Sequence, residues 1–182
     1  MHVRLVPKTW SVEDAGKTWT GVPGETIGQA LVILGLHCDL NNFTTDEITE
    51  FVKHYLVAAL WSSTYSTDDD PQGNHPKPID DDYDVDDVAE ESVYSAREDC
   101  LDFINECTKA GIDLKNTELF PQRSIEWSVI AQHGHDLWLT RNGHGAGFWD
   151  RGYGEVGDKV SNIARAMKEC NIDVIGGKVV LS

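Results

Sequence analysis

His133-Gly134-His135-Asp136-Leu137-Trp138-Leu139-Thr140-Arg141-Asn142-Gly143-His144-Gly145-Ala146-Gly147-Phe148-Trp149-Asp150 is the stretch on which the fold turns. Gly134 reads as the stop of a short helix over 124–133. Residues 136–140 then alternate polar and apolar side chains in the manner of a strand. Asn142 to Gly147 holds three glycines and reads as a tight turn, after which Phe148 and Trp149 begin a return strand. The expected outcome is a hairpin near 136–150.

Beyond it, Asp158 can cap a helix carrying Val160, Ile163, Ala164 and Met167. Two β-branched runs around Gly176-Gly177 predict a second hairpin over 172–181. Before it, Thr44 and Glu47 have capping-box spacing, and Ile48, Phe51, Val52, Tyr55, Leu56, Ala59 and Leu60 recur at helical spacing. They predict a helix from 44 to about 62. A second helix is predicted over about 86–110, with Val93, Ala96, Cys100, Ile104 and Cys107 on its stripe and Gly111 as its stop. The sum is an α+β fold, a small antiparallel sheet packed against several helices. A short strand at 2–6 bounded by Pro7, a turn at Gly21 and Pro23-Gly24, and a buried helix over 27–36 complete the reading. Residues 1–43 read as an N-terminal extension packed on a core domain of 44–182.

The chain has 182 residues, 40% of them hydrophobic, enough for a core without disulfides. Cys38, Cys100, Cys107 and Cys170 form no CxxC pair or zinc-type spacing and are expected to be reduced, buried thiols. The longest apolar run, 56–61, is far short of a membrane span, and no apolar signal segment follows Arg4 and Lys8. A cytoplasmic protein without membrane contact is expected. The net charge of −16 argues against direct nucleic-acid binding, which needs cations to displace counterions from phosphates. A protein with a basic surface is the better partner. A homodimer is left open, and no cofactor is expected.

The charge is uneven. From Asp68 to Glu106 there are 15 acids against Lys77 and Arg97. The candidate partner-binding residues are Asp68, Asp69, Asp70, Asp80, Asp81, Asp82, Asp84, Asp86, Asp87, Glu90 and Glu91. The plainest reading is a solvated loop and helix face. A sharper one is imitation of DNA, whose phosphates place a charge every ~1.7 Å of duplex axis. Calcium binding by residues 80–86 is a third, against which stand the missing central glycine and the missing terminal glutamate of an EF-hand.

A second candidate is the polar set His135, Asp136, Arg141, Asn142, His144 and Asp150. Histidines and carboxylates of this kind can ligate zinc or manganese, or act as general bases near neutral pH. The spacing matches no ligand signature, and on a strand His135 and Asp136 would face opposite ways. No metal site is therefore assigned. The glycine turn could cradle an anion beside Arg141 and Arg151, but it lacks the Lys-Ser/Thr end of a phosphate loop.

Residues 55–63 with the aspartate-rich loop after them, and the motif from Gly134 to Asp150, resemble a family of small phage-encoded acidic proteins. The likeness extends over about 44–182. It implies a phage or prophage origin and an accessory role in the host cytoplasm, and it supplies no catalytic residues. Joined to the charge map, it leads to an expected function: binding and inhibiting a host or anti-phage defence protein through its basic surface, by DNA mimicry in the sharper version. A small metal-dependent hydrolase centred on His135 and His144 is the alternative.

Overall fold

Thr44 opens the first long helix as its spacing predicts: its hydroxyl accepts from the Glu47 amide, and the Glu47 carboxylate accepts from the Thr44 amide at 2.7 Å. The computed structural model describes residues 2–6, 9–14, 17–21, 42–67 and 75–182. The chain divides into two units, Met1–Asp39 and Leu40–Ser182. In the first, strands β1 (His2–Val6), β2 (Thr9–Asp14) and β3 (Lys17–Gly21) form an antiparallel meander, with Val3 opposite Val12 and Val12 opposite Trp19. The strand expected at 2–6 is present. The helix expected over 27–36, the turn at Pro23-Gly24, Cys38, and Asp68, Asp69 and Asp70 lie outside the described residues.

The second unit is α+β. Its helices are α1 (Thr45–Ser62), α2 (Glu90–Lys109), α3 (Val129–Arg141) and α4 (Gly154–Ala166). Two short antiparallel pairs accompany them: β4 (Thr64–Tyr65) with β5 (Lys77–Pro78), and β6 (Ile172–Ile175) with β7 (Lys178–Leu181). The second pair is the hairpin expected around Gly176-Gly177, both of which adopt positive φ. It is tied to the acidic segment by the Ala89 amide, which donates to the Val179 carbonyl at 2.8 Å.

The hairpin expected near 136–150 is absent. Those residues continue a helix that begins after Ser128, whose hydroxyl accepts from the Ala131 amide. Ten of the thirteen residues of α3 are buried, so the helix is covered on most sides and shows no one-sided stripe. Gly134 does not stop it. A Cβ there would lie 2.1 Å from the Phe51 carbonyl oxygen, so the glycine is what lets α1 and α3 cross backbone to backbone. After α3 the chain turns back at Gly147, whose φ of 138° and contact with Thr140 leave no room for a side chain. The Phe148 amide then donates to Thr140 Oγ1 at 3.0 Å. Residues Phe148–Asp150 form a 3-10 turn where a return strand was expected, and α4 starts at Gly154, ahead of the expected cap at Asp158.

An aromatic core lies where these helices meet. Phe103 stacks on Phe148 at 5.5 Å, Phe51 tilts against Phe103 at 6.1 Å, and Tyr55 meets the Trp138 edge at 5.2 Å. Cys100 and Cys107 are buried among them. No helix among the described residues is long and apolar enough to cross a membrane.

Candidate functional site: an acidic segment beside an aromatic groove

Asp80, Asp81, Asp86 and Asp87 sit on two 3-10 turns, Ile79–Asp81 and Val85–Asp87, with Asp82 and Asp84 at the turn ends between them, and Glu90 and Glu91 open α2. The path is pinned. Ile79 is fully buried and its amide donates to the Ser63 carbonyl at the end of α1 at 3.0 Å. Tyr65 and Lys77 both bond Asp82, Lys77 at 2.6 Å. The bond from Lys77, and after it the one from Tyr65, hold the Asp82 carboxyl below its usual value, while the Tyr65 bond to Asp82 pushes the Tyr65 phenol up to about 12. Asp84 caps the second turn, accepting from the Asp86 amide at 2.8 Å.

What remains faces water. Asp80, Asp81, Asp82, Asp84, Asp86, Glu90 and Glu91 are exposed and Asp87 is half-buried. Asp82 is paired with Lys77, and Asp87 lies 4.0 Å from Lys178. Among the described residues, no lysine or arginine pairs with Asp80, Asp81, Asp84, Asp86, Glu90 or Glu91. Glu90 accepts instead from the Tyr94 hydroxyl.

An open groove of about 500 Å³ borders this segment, lined by Val57, Leu60, Trp61, Asp80, Tyr83, Asp84, Val85, Trp127 and His135. Trp61 is 56% exposed at the last turn of α1. The His135 ring lies between two tryptophans, 5.8 Å from Trp61 and 5.1 Å from Trp127. Its Nδ1 is buried without a hydrogen-bond partner. Burial pushes its pKa down to about 4, with Arg151 and His54 adding to the fall, so the ring is neutral near pH 7.

The other members of the polar set do not converge. Asp136 is fully buried and bonds Arg151 through Nε at 3.0 and 3.1 Å and Nη2 at 2.5 Å, with Gln132 donating at 2.9 Å. Burial pushes the Asp136 carboxyl up against the opposing pull of Arg151. Arg141 joins three elements: it donates to Asp99 at 2.5 Å, to the Tyr55 hydroxyl at 2.6 Å and to the Lys168 carbonyl at 2.9 Å. Asn142 closes α3, donating to the Trp138 carbonyl and accepting from the Cys170 amide. His144 is half-buried on the turn, and Asp150 is exposed. No three His, Cys, Asp or Glu residues among those described are grouped to hold a metal ion. Burial pushes Cys100 and Cys107 up, Cys107 to about 12, so both stay protonated and poorly nucleophilic.

Sequence reasoning named the acids and His135 but missed Trp61, Tyr83 and Trp127, which complete the groove. The available signal was Trp61, a large aromatic off the buried stripe of α1, immediately before the acidic loop. No protein-family model matches the chain, and no curated protein or solved structure does.

Proposed function

We propose that this chain is an acidic accessory protein of phage origin that acts in the host cytoplasm. It binds and inhibits a host or anti-phage defence protein by occupying that partner's basic, nucleic-acid-handling surface. The observation that carries the reading is the run of exposed carboxylates at Asp80, Asp81, Asp84, Asp86, Glu90 and Glu91, none in an ion pair with a described lysine or arginine, on a pinned backbone. Fixed like charges raise the local potential and steer a cationic partner, and they stand where phosphates would stand in a DNA competitor. Asp68, Asp69 and Asp70 add to the same charge in sequence.

The test is affinity capture from phage-infected host cells, followed by mass spectrometry. The bait is compared with a variant carrying Asp80→Asn, Asp81→Asn, Asp84→Asn, Asp86→Asn and Glu91→Gln. The reading expects a basic, nucleic-acid-binding protein that the wild-type chain retains, the variant loses and added duplex DNA displaces. Equal recovery by both baits contradicts it.

A further inference from the structure

The groove beside the acids has a chemistry of its own, and we propose that it takes the guanidinium of an arginine side chain presented by a protein partner. The proposal rests on the reading of this chain as a binder of basic proteins and names the side chain that anchors such a partner.

Three aromatic rings line the groove, and two of them are tryptophan, the ring whose face attracts a cation most strongly. Elsewhere the chain covers ring faces with its own cations: Lys115 over Phe43, Arg123 over Tyr153 and Arg141 over Tyr55. Among the described residues, no lysine or arginine lies over Trp61, Tyr83 or Trp127. Trp61 is left more than half in water, which forgoes the stabilisation that covering its apolar surface would give.

Charge complementarity selects the occupant. Asp80 and Asp84 line the same groove, and neither is paired with a described lysine or arginine. A planar, weakly hydrated guanidinium can stack on an indole and still direct its N–H donors to carboxylates at the rim. A lysine ammonium is more strongly hydrated and offers no plane to stack. His135, which also lines the groove, does not repel it, because its ring is neutral near pH 7.

The walls are also held in place, which lowers the cost of ordering on binding. Tyr83 packs edge-on against Tyr65 at 5.5 Å, and Tyr65 is bonded to Asp82. Trp127 lies 4.8 Å from His54 and 5.1 Å from His135, and its carbonyl accepts from Gln122 at 3.0 Å.

The experiment uses the full chain with 15N-labelled tryptophan indoles, the Trp61 and Trp127 signals being assigned from Trp61→Phe and Trp127→Phe. It is titrated with a blocked pentapeptide holding one arginine between glycines and serines, and with the same peptide holding citrulline or lysine. The expected result is a saturable shift of the Trp61 and Trp127 signals with arginine. Binding should be about tenfold weaker with the isosteric but neutral citrulline. The lysine peptide should be intermediate. Asp80→Asn with Asp84→Asn should weaken arginine binding several-fold, and Asn retains the cap at position 84. Equal shifts from the arginine and citrulline peptides overturn the proposal. So does an arginine peptide that at millimolar concentration moves neither signal, or moves those of Trp138 and Trp149 instead. The outcomes separate from those of the capture experiment. Arginine seated in the groove, with capture unaffected by charge neutralisation, refutes the inhibitor reading and keeps the groove. Charge-dependent capture with no peptide response does the reverse.

Discussion

At the scale of single residues, two buried polar groups set measurable consequences. His133 is fully buried between Phe120 and Phe148, and its Nε2 donates to the Leu114 carbonyl at 2.8 Å. Its Nδ1 has no partner, and burial pushes the pKa from an ordinary 6.5 down to about 4. Below pH 6.5 the unfolded chain takes up a proton that the folded chain refuses. Stability is therefore lost as pH falls from 6.5 towards 4, by roughly 3 kcal/mol in all, and the loss levels off below 4. In denaturation at stepped pH, His133→Gln should reduce the proton-linked slope in that window by about one proton; an unchanged slope would show that His133 is not responsible. The Asp136–Arg151 pair gives an asymmetric prediction. Arg151→Met strands a carboxylate with no exposure and should cost about 3–5 kcal/mol. Asp136→Asn leaves a guanidinium that keeps 24% of its side chain in water and a neutral acceptor beside it, and should cost about 1–3 kcal/mol. Urea midpoints of the two variants test the order.

At the scale of elements, the crossing of α1 and α3 depends on Gly134. Gly134→Ala puts a methyl group into the Phe51 carbonyl and must push the helices apart. We expect a loss of at least roughly 1–3 kcal/mol by chemical denaturation, against the small gain that alanine gives an exposed helix. A variant as stable as the parent would refute the close crossing. The same glycine explains why part of the fold was hidden in the sequence. The cap and stripe of α1, the stripe of α2 and the β6–β7 turn are local signals, and each was readable from a few neighbouring residues. The helix α3 was not, because a segment buried on most sides loses the periodic contrast that marks a helix, and a glycine required by packing looks like a stop. The acids of the candidate site were legible as a run. Their groove was not, since Trp61, Tyr83 and the Trp127–His135 stretch come from three separate parts of the chain brought together by tertiary packing.

At the scale of the whole molecule, a net charge of −16 makes the chain repel itself. Screening should relieve that repulsion, because the Debye length falls from ~30 Å at 0.01 M to ~8 Å at 0.15 M salt. The melting temperature is expected to rise over that range, and to rise less in the variant neutralised at Asp80, Asp81, Asp84, Asp86 and Glu91. Partner binding should respond in the opposite sense, since the same screening weakens attraction to a cationic surface. The most direct measurement is calorimetric titration of the captured partner with wild-type and neutralised chains at 50 and 200 mM salt. Wild-type affinity should fall steeply with salt, while the neutralised variant should bind weakly with little salt dependence. Equal affinities and equal salt dependence for the two chains would contradict a function carried by these carboxylates.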